Sequence, residues 1–135
     1  MNLNNVKQFM QQVQWGHLAT TDGRKVGVRP MGGWVWFEDE LWFATGKSTE
    51  KVRQLKKVRH AECIFSKPDG EHIRIAGTCR ISANNRDKLK LFDAVPMLKN
   101  YIEDPVDPDY VVICMRPSQI RWMKSSNQEY SEVKV

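Results

Sequence analysis

The stretch that decides the fold runs from Val26 to Val58 and reads VGVRPMGGWVWFEDELWFATGKSTEKVRQLKKV. It predicts a long strand from Lys25 to Phe37, a tight acidic turn at 38–40 and a second apolar strand from Leu41 to Ala44. A polar loop over 45–49 leads into a basic helix. Such a strand–loop–helix unit favours anion binding, because the first N–H groups of a helix are unpaired and its dipole attracts negative charge.

The loop supplies further groups that suit a phosphate. Lys47 and Lys51 are cations, and Thr45, Ser48 and Thr49 carry hydroxyl donors. The segment does not match the Gly-x4-Gly-Lys-Ser/Thr loop of nucleotide-binding proteins. Two interpretations therefore stay open here, a phosphate site and an ordinary helix cap rich in Ser and Thr.

The first predicted strand carries residues that disturb regular pairing. Pro30 has no N–H to donate, and Gly32 and Gly33 have no side chains to pack, so they indicate a break, a bulge or an edge. Backbone groups left unpaired there could face a ligand. The alternative is a bulge that only curves a small barrel.

The bulk composition is that of one soluble globular domain. The chain has 135 residues, of which 41% are hydrophobic and 27% charged. No apolar run approaches the roughly 20 residues needed to span a bilayer. The N-terminus, MNLNNVKQFMQQ, is too polar for a secretory signal, so a cytoplasmic location is expected.

Cysteine and histidine usage gives no metal site. Cys63, Cys79 and Cys114 each lie in a predicted apolar strand, which favours buried free thiols over disulfides. The nearest approach to a ligand pair is His60 with Cys63, and one pair does not make a zinc site.

The net charge of +5 raises the question of nucleic acid. The basic residues are concentrated in the helix after the loop and near Arg86 to Lys90, without the interleaved aromatic residues of a single-strand binder. A solvated helix face and a small anionic ligand account for the charge equally well. No nucleic-acid partner is therefore expected.

The rest of the chain reads as short strands and a few helices. Further strands are predicted at 17–21, 61–66, 72–82, 110–115 and 120–123. Helices are predicted over 3–13 and from Asn84 to Val95, with a helical turn at 97–102. Pro117 is expected to interrupt the chain between its last two strands.

These elements predict a mainly β (α+β) fold. The expectation is an antiparallel barrel of six or seven strands with flanking helices, formed by a single domain over residues 1–123. Residues 124–135 form a polar tail that is expected to be frayed.

Several short motifs, in order, resemble one known family. They are His17-Leu-Ala-Thr-Thr-Asp-Gly23, Arg29-Pro-Met31, Leu41-Trp-Phe-Ala-Thr45 followed by Thr49-x-Lys51, His72-Ile-Arg-Ile-Ala-Gly77, and Pro117-x-x-Ile-Arg-Trp122. Their order and spacing resemble the pyridoxamine 5′-phosphate oxidase-like, FMN-binding split-barrel family, including its small general-stress-protein members. The resemblance covers about residues 3 to 123.

The resemblance implies a homodimer that holds FMN in a groove between its subunits. It assigns the isoalloxazine and ribityl chain to a segment of six residues: Arg29, Pro30, Met31, Gly32, Gly33 and Trp34. It places Ala44 and Thr45 beside the ribityl phosphate and pairs Lys51 with that phosphate. Thr49 stands where the family often has Ser.

Two more residues of the cofactor set follow from the resemblance. His72 occupies a position where the oxidases have a Gln from the partner subunit, and Trp122 matches an aromatic residue near the ring. No catalytic residue is assigned, because a flavin carries out the redox chemistry itself.

The departures from the family narrow the expected function. Glu50 stands where the oxidases carry an Arg that serves the phosphate, and the C-terminal Arg-containing segment that holds pyridoxamine phosphate is not found. We therefore expect an FMN-dependent oxidoreductase of unknown substrate and not a true pyridoxamine phosphate oxidase. The alternative is a non-catalytic module that stores or senses FMN or haem, with His17, His60 and His72 as the available imidazole ligands.

Overall fold

One antiparallel sheet contains all the strands that the structure, a computed structural model, describes over residues 1–125 and 129–135. Its strands are β1 (Gly16–Thr21), β2 (Val26–Met31), β3 (Val35–Phe37), β4 (Glu40–Gly46), β5 (His60–Ser66), β6 (His72–Ser82), β7 (Tyr110–Met123) and β8 (Ser131–Val133). The helices are α1 (Leu3–Met10), α2 (Glu50–Lys57), α3 (Asn85–Ala94) and the 3-10 helix Pro96–Asn100. The predicted mainly β fold with flanking helices is confirmed, with eight strands instead of six or seven.

The strand order places β2 and β3 at opposite edges of the sheet. The order is β2-β1-β5-β6-β7-β4-β3, and β8 pairs with β7. The long strand predicted from Lys25 to Phe37 is therefore wrong, because it is two strands that pair with different neighbours. Pairing with β1 continues through Pro30 to Met31, and the chain breaks at Gly32 and Gly33, where a break, a bulge or an edge was expected; Gly33 has a φ of +64°, which favours glycine.

This short connection also makes the sheet curve. Met31 and Val35 belong to opposite edges, yet four peptide units can span at most about 14 Å. The two edges must therefore approach each other without pairing. The sheet curls into a barrel that is split between β2 and β3.

Pro117 does not interrupt the chain, so the prediction of two separate final strands is wrong. β7 continues from Tyr110 to Met123, and Pro117 lies opposite Gly77 where the register shifts after Ala76. A Cβ atom on Gly77 would lie 2.4 Å from the Arg116 carbonyl oxygen, so glycine is needed opposite the bulge. The bulge accommodates a proline that a regular ladder would exclude.

Part of the predicted frayed tail is ordered. Residues 131–133 pair with β7, with Val133 opposite Ile120, and the Val133 side chain is only 3% exposed. The prediction is wrong for this segment because one buried valine anchors it; residues 126–128 lie outside the described part of the chain.

The helices and cores follow the sequence closely. The helix predicted from Asn84 to Val95 is confirmed: Asn84 caps α3 by accepting from the Asp87 amide, and the helix ends at Ala94, just before Pro96. One apolar cluster lies between α1 and the concave sheet, and a second lies beneath α3. β7 contributes to both clusters, which explains the unbroken apolar run from 110 to 115. The three cysteines are buried free thiols, and burial raises the pKa of Cys79 and Cys114 to about 12.

Candidate functional site

A cavity of about 560 Å³ opens where the sheet is split. One wall is formed by the end of β2 and Gly32, and another by Ala44, Thr45 and Gly46 of β4. β3 pairs only with residues 40–42 of β4, so it does not cover the edge of β4 beyond Trp42. The cavity therefore lies against backbone that the sheet leaves unpaired on this side.

The N-terminus of α2 forms a polar end of this cavity. Thr49 is the N-cap residue, but its side chain makes no capping hydrogen bond; its hydroxyl donates to the Gly46 carbonyl oxygen at 2.9 Å. The Thr45 hydroxyl oxygen is buried and finds no hydrogen-bond partner within the described residues. Uncapped helix amides and an unsatisfied buried hydroxyl both fit a ligand that carries oxygen atoms.

Lys51 adds a cation to the same end. It is partly buried, lines the cavity and has no ion-pair partner among the residues that the structure describes. Burial lowers the pKa of Lys51, and the nearby positive charge of Arg29 lowers it further. A bound anion would offset both effects.

Two carboxylates reduce the positive charge of this end. Arg29 donates to the Thr20 hydroxyl at 2.6 Å and forms an ion pair with Glu50 at 2.9 Å. Asp109 lines the cavity beside Gly46, with its Oδ2 atom 3.7 Å from where a Cβ of residue 46 would lie. Lys51 and Arg29 are thus matched by Glu50 and Asp109, which makes the end less cationic than the sequence suggested.

The opposite wall is apolar and was not predicted. It consists of Trp15 and of four residues in or just after the 3-10 helix: Met97, Leu98, Tyr101 and Ile102. Trp15 is 45% exposed and Tyr101 73% exposed, so aromatic surface faces the opening. A wall of this kind suits a planar ring.

A buried lysine holds the segment that completes this wall. Lys88 is only 2% exposed, and its ammonium group donates to the Asp107 carbonyl oxygen at 2.6 Å. The Tyr110 hydroxyl donates to the Lys88 carbonyl oxygen at 2.8 Å. The sequence signal was the irregular segment with Pro105 and Pro108, because a long loop without regular structure is often functional.

The structure brings half of the predicted cofactor residues into the cavity lining. These are Pro30, Met31, Gly32, Ala44, Thr45 and Lys51. Four others do not line the cavity: Arg29 and Gly33 each adjoin a lining residue in sequence, and Trp34 and Thr49 lie two residues from one. Trp34 instead packs against Phe65, with ring centroids 4.8 Å apart.

His72 and Trp122 do not line this cavity in their own chain. Trp122 is twelve residues beyond the cavity residue Tyr110 on β7, and His72 is the first residue of β6 and pairs with Met123. Their assignment to the cofactor stays a prediction.

No three His, Cys, Asp or Glu side chains of residues 1–125 and 129–135 are grouped so that they could hold a metal ion. None of the described helices is long and apolar enough to cross a bilayer.

Comparison with known proteins gives one family and many similar folds. The family model described as "Pyridoxamine 5'-phosphate oxidase like" matches residues 2–134. No curated protein sequence matches the chain significantly.

Among solved structures, a nimC/nimA family protein from Clostridium acetobutylicum is 21% identical, with a TM-score of 0.84 over 97% of this chain and 90% of that one. General Stress Protein 26 from Bacillus anthracis is 22% identical, with a TM-score of 0.78 over 98% and 99% of the two chains. A protein named F420 reductase is 22% identical, with a TM-score of 0.65 over 84% and 94%. At this level of identity the likeness establishes the fold alone.

Proposed function

Because the chain belongs to the pyridoxamine 5′-phosphate oxidase-like family, we propose that it is a flavoprotein that binds FMN at the split of its sheet and acts as an oxidoreductase. The observation that carries the proposal is the buried hydroxyl of Thr45, which has no hydrogen-bond partner in the described part of the chain and lies beside a cavity that Lys51 also lines. A buried hydroxyl without a partner destabilises the protein, and a phosphate or ribityl oxygen would satisfy it.

The residues of the cavity fit the parts of FMN. Lys51 and the uncapped amides of α2 would hold the phosphate, and Thr45 would hydrogen-bond to the phosphate or the ribityl chain. The unpaired backbone near Pro30 and Ala44 would meet the polar edge of the ring system. Bound FMN would supply the electron transfer, while the protein binds it, orients it and excludes water.

We further propose that the active form is a cytoplasmic homodimer. His72 and Trp122, which do not line the cavity of their own chain, would then reach the cofactor of the partner subunit. The substrate is a small molecule other than pyridoxamine phosphate. One structural neighbour carries the name F420 reductase, which supports a redox role on this fold.

Haem storage or sensing gains no support from the cavity. Haem iron needs an axial ligand such as histidine, and none of His17, His60 and His72 lines this cavity. Non-catalytic binding of FMN would use the same residues and differs from the proposal only in the absence of turnover.

Lys51→Met tests the phosphate site. We expect the Kd for FMN, measured by quenching of flavin fluorescence, to rise roughly tenfold or more, which corresponds to about 1.4 kcal/mol. Lys56→Met is the matched control, because Lys56 is exposed on the same helix.

Thermal unfolding of the apo protein separates binding from folding. The lowered pKa of Lys51 means that the native state holds this proton less tightly than the unfolded state, so the charged lysine does not stabilise the apo fold near neutral pH. The Tm of Lys51→Met should therefore be no lower than that of the natural protein. If the natural protein binds no FMN, the proposal is wrong. If Lys51→Met and Lys56→Met bind FMN with equal Kd values, the phosphate does not bind at the N-terminus of α2.

A further inference from the structure

A chain of two hydrogen bonds holds the imidazole of His72. Its Nδ1 atom lies 2.8 Å from the Gly70 carbonyl oxygen, and its Nε2 atom lies 2.7 Å from the Tyr130 hydroxyl oxygen. A carbonyl oxygen only accepts, so Nδ1 must carry a proton. In a neutral imidazole Nε2 then has only a lone pair, and the Tyr130 O–H donates to it.

The tyrosine that donates this hydrogen bond is itself held in place. Its ring lies 5.3 Å from the guanidinium of Arg74 and 5.3 Å from that of Arg121. Glu62 forms ion pairs with both arginines and so holds them around the ring. The next residue, Ser131, begins β8 and pairs with Trp122 of β7.

We propose that Tyr130 is a positioning residue that, together with the Gly70 carbonyl, fixes His72 in its Nδ1–H tautomer, and that the C-terminal segment is therefore part of the functional site. Its role at the cofactor rests on the proposed function, in which His72 approaches the FMN of the partner subunit. The hydrogen-bond chain itself stands on the geometry of one chain.

The tautomer determines what this end of the site offers a ligand. The single proton of the Tyr130 hydroxyl is used by His72, so toward any other group the phenolic oxygen can accept a hydrogen bond but cannot donate one. Because both nitrogens of His72 are engaged, His72 cannot ligate haem iron without losing one of these bonds.

Nitrogen-15 NMR of histidine-labelled apo protein tests the first part. At pH 8, above the ordinary histidine pKa of about 6.5, His72 should give a protonated Nδ1 signal and an unprotonated Nε2 signal. Tyr130→Phe keeps the ring between the arginines and removes only the hydroxyl, so the Nε2–H population of His72 should rise, although the Gly70 carbonyl still favours a proton on Nδ1. Tyr101→Phe, which removes the hydroxyl of an exposed tyrosine on the cavity wall, should leave them unchanged.

The outcomes separate this inference from the proposed function. A natural protein with His72 in the Nε2–H tautomer overturns the inference, and so does an unchanged tautomer in Tyr130→Phe. Failure of FMN to bind overturns the proposed function, because the tautomer is measured without cofactor. If FMN binds but leaves the His72 signals in place, the cofactor role of the tyrosine–histidine pair is wrong.

Discussion

At the residue scale, Glu50 has a direct influence on the anion end of the cavity. It pairs with Arg29 at 2.9 Å, and it begins the helix whose first amides would bind the phosphate in the proposed site. A carboxylate at the first position of a helix competes with an incoming phosphate for the same dipole and the same guanidinium. In the proposed site, Glu50 therefore opposes the phosphate that Lys51 and the helix amides would bind.

Glu50→Gln should strengthen FMN binding. Removing the carboxylate charge frees Arg29 to attract the phosphate, and we expect the Kd to fall by about three- to tenfold at low salt. The gain should shrink at high salt, because the Glu50 side chain is 59% exposed and its charge is screened. Isothermal titration at two salt concentrations measures this.

The control for this variant is Asp93→Asn, which removes one negative charge from an exposed site on α3. It should change FMN affinity little. Equal or weaker binding by Glu50→Gln would mean that Glu50 supports the ligand instead of opposing it.

At the scale of elements, β8 adds a strand to the sheet in a segment whose polar sequence suggested a frayed tail. Three residues pair with β7, and they bury one apolar side chain in the main core. Tyr130, the residue before β8, forms a hydrogen bond with His72. A short strand with one anchor can therefore complete both the core and a polar site.

Val133→Ala should destabilise the fold by about 1.5 kcal/mol, from about 0.8 kcal/mol for each buried methylene-sized group removed. Val135→Ala is the matched control, because Val135 is 62% exposed while Val133 is 3% exposed. Urea unfolding of both variants measures the difference. Equal stabilities would show that β8 is not docked in solution.

At the scale of the whole molecule, β7 separates the two halves of the predicted cofactor set. Tyr110 lines the cavity at one end of the strand, and Trp122 lies near the other end. A shared site in a two-fold dimer resolves this, because each chain can give its far end to the cavity of the other.

Subunit complementation tests this arrangement. Chains with Lys51→Met and chains with His72→Ala, co-expressed with different tags, should form heterodimers that keep one intact site each. In a random mixture about a quarter of all sites should bind FMN with natural affinity. Each variant alone should bind weakly, and a mixture that regains no tight sites would mean that the site belongs to one chain.

The sequence by itself determined the features that depend on neighbouring residues. The strand at 17–21, the helix that begins at Asn84 and the strand that begins at 110 all have local signals, and each is found where it was expected. The cavity residues between Pro30 and Lys51 were also within reach, because one short stretch of chain carries them.

Only the tertiary structure decided which distant segments meet. The separation of β2 from β3, the ion pair of Arg29 with Glu50, the apolar wall from Met97 to Ile102 and the pairing of β8 involve segments that carry no local mark of their partners. Strand neighbours are selected by the combined burial of many side chains on a curved sheet. That selection is a property of the whole chain, and no short pattern encodes it.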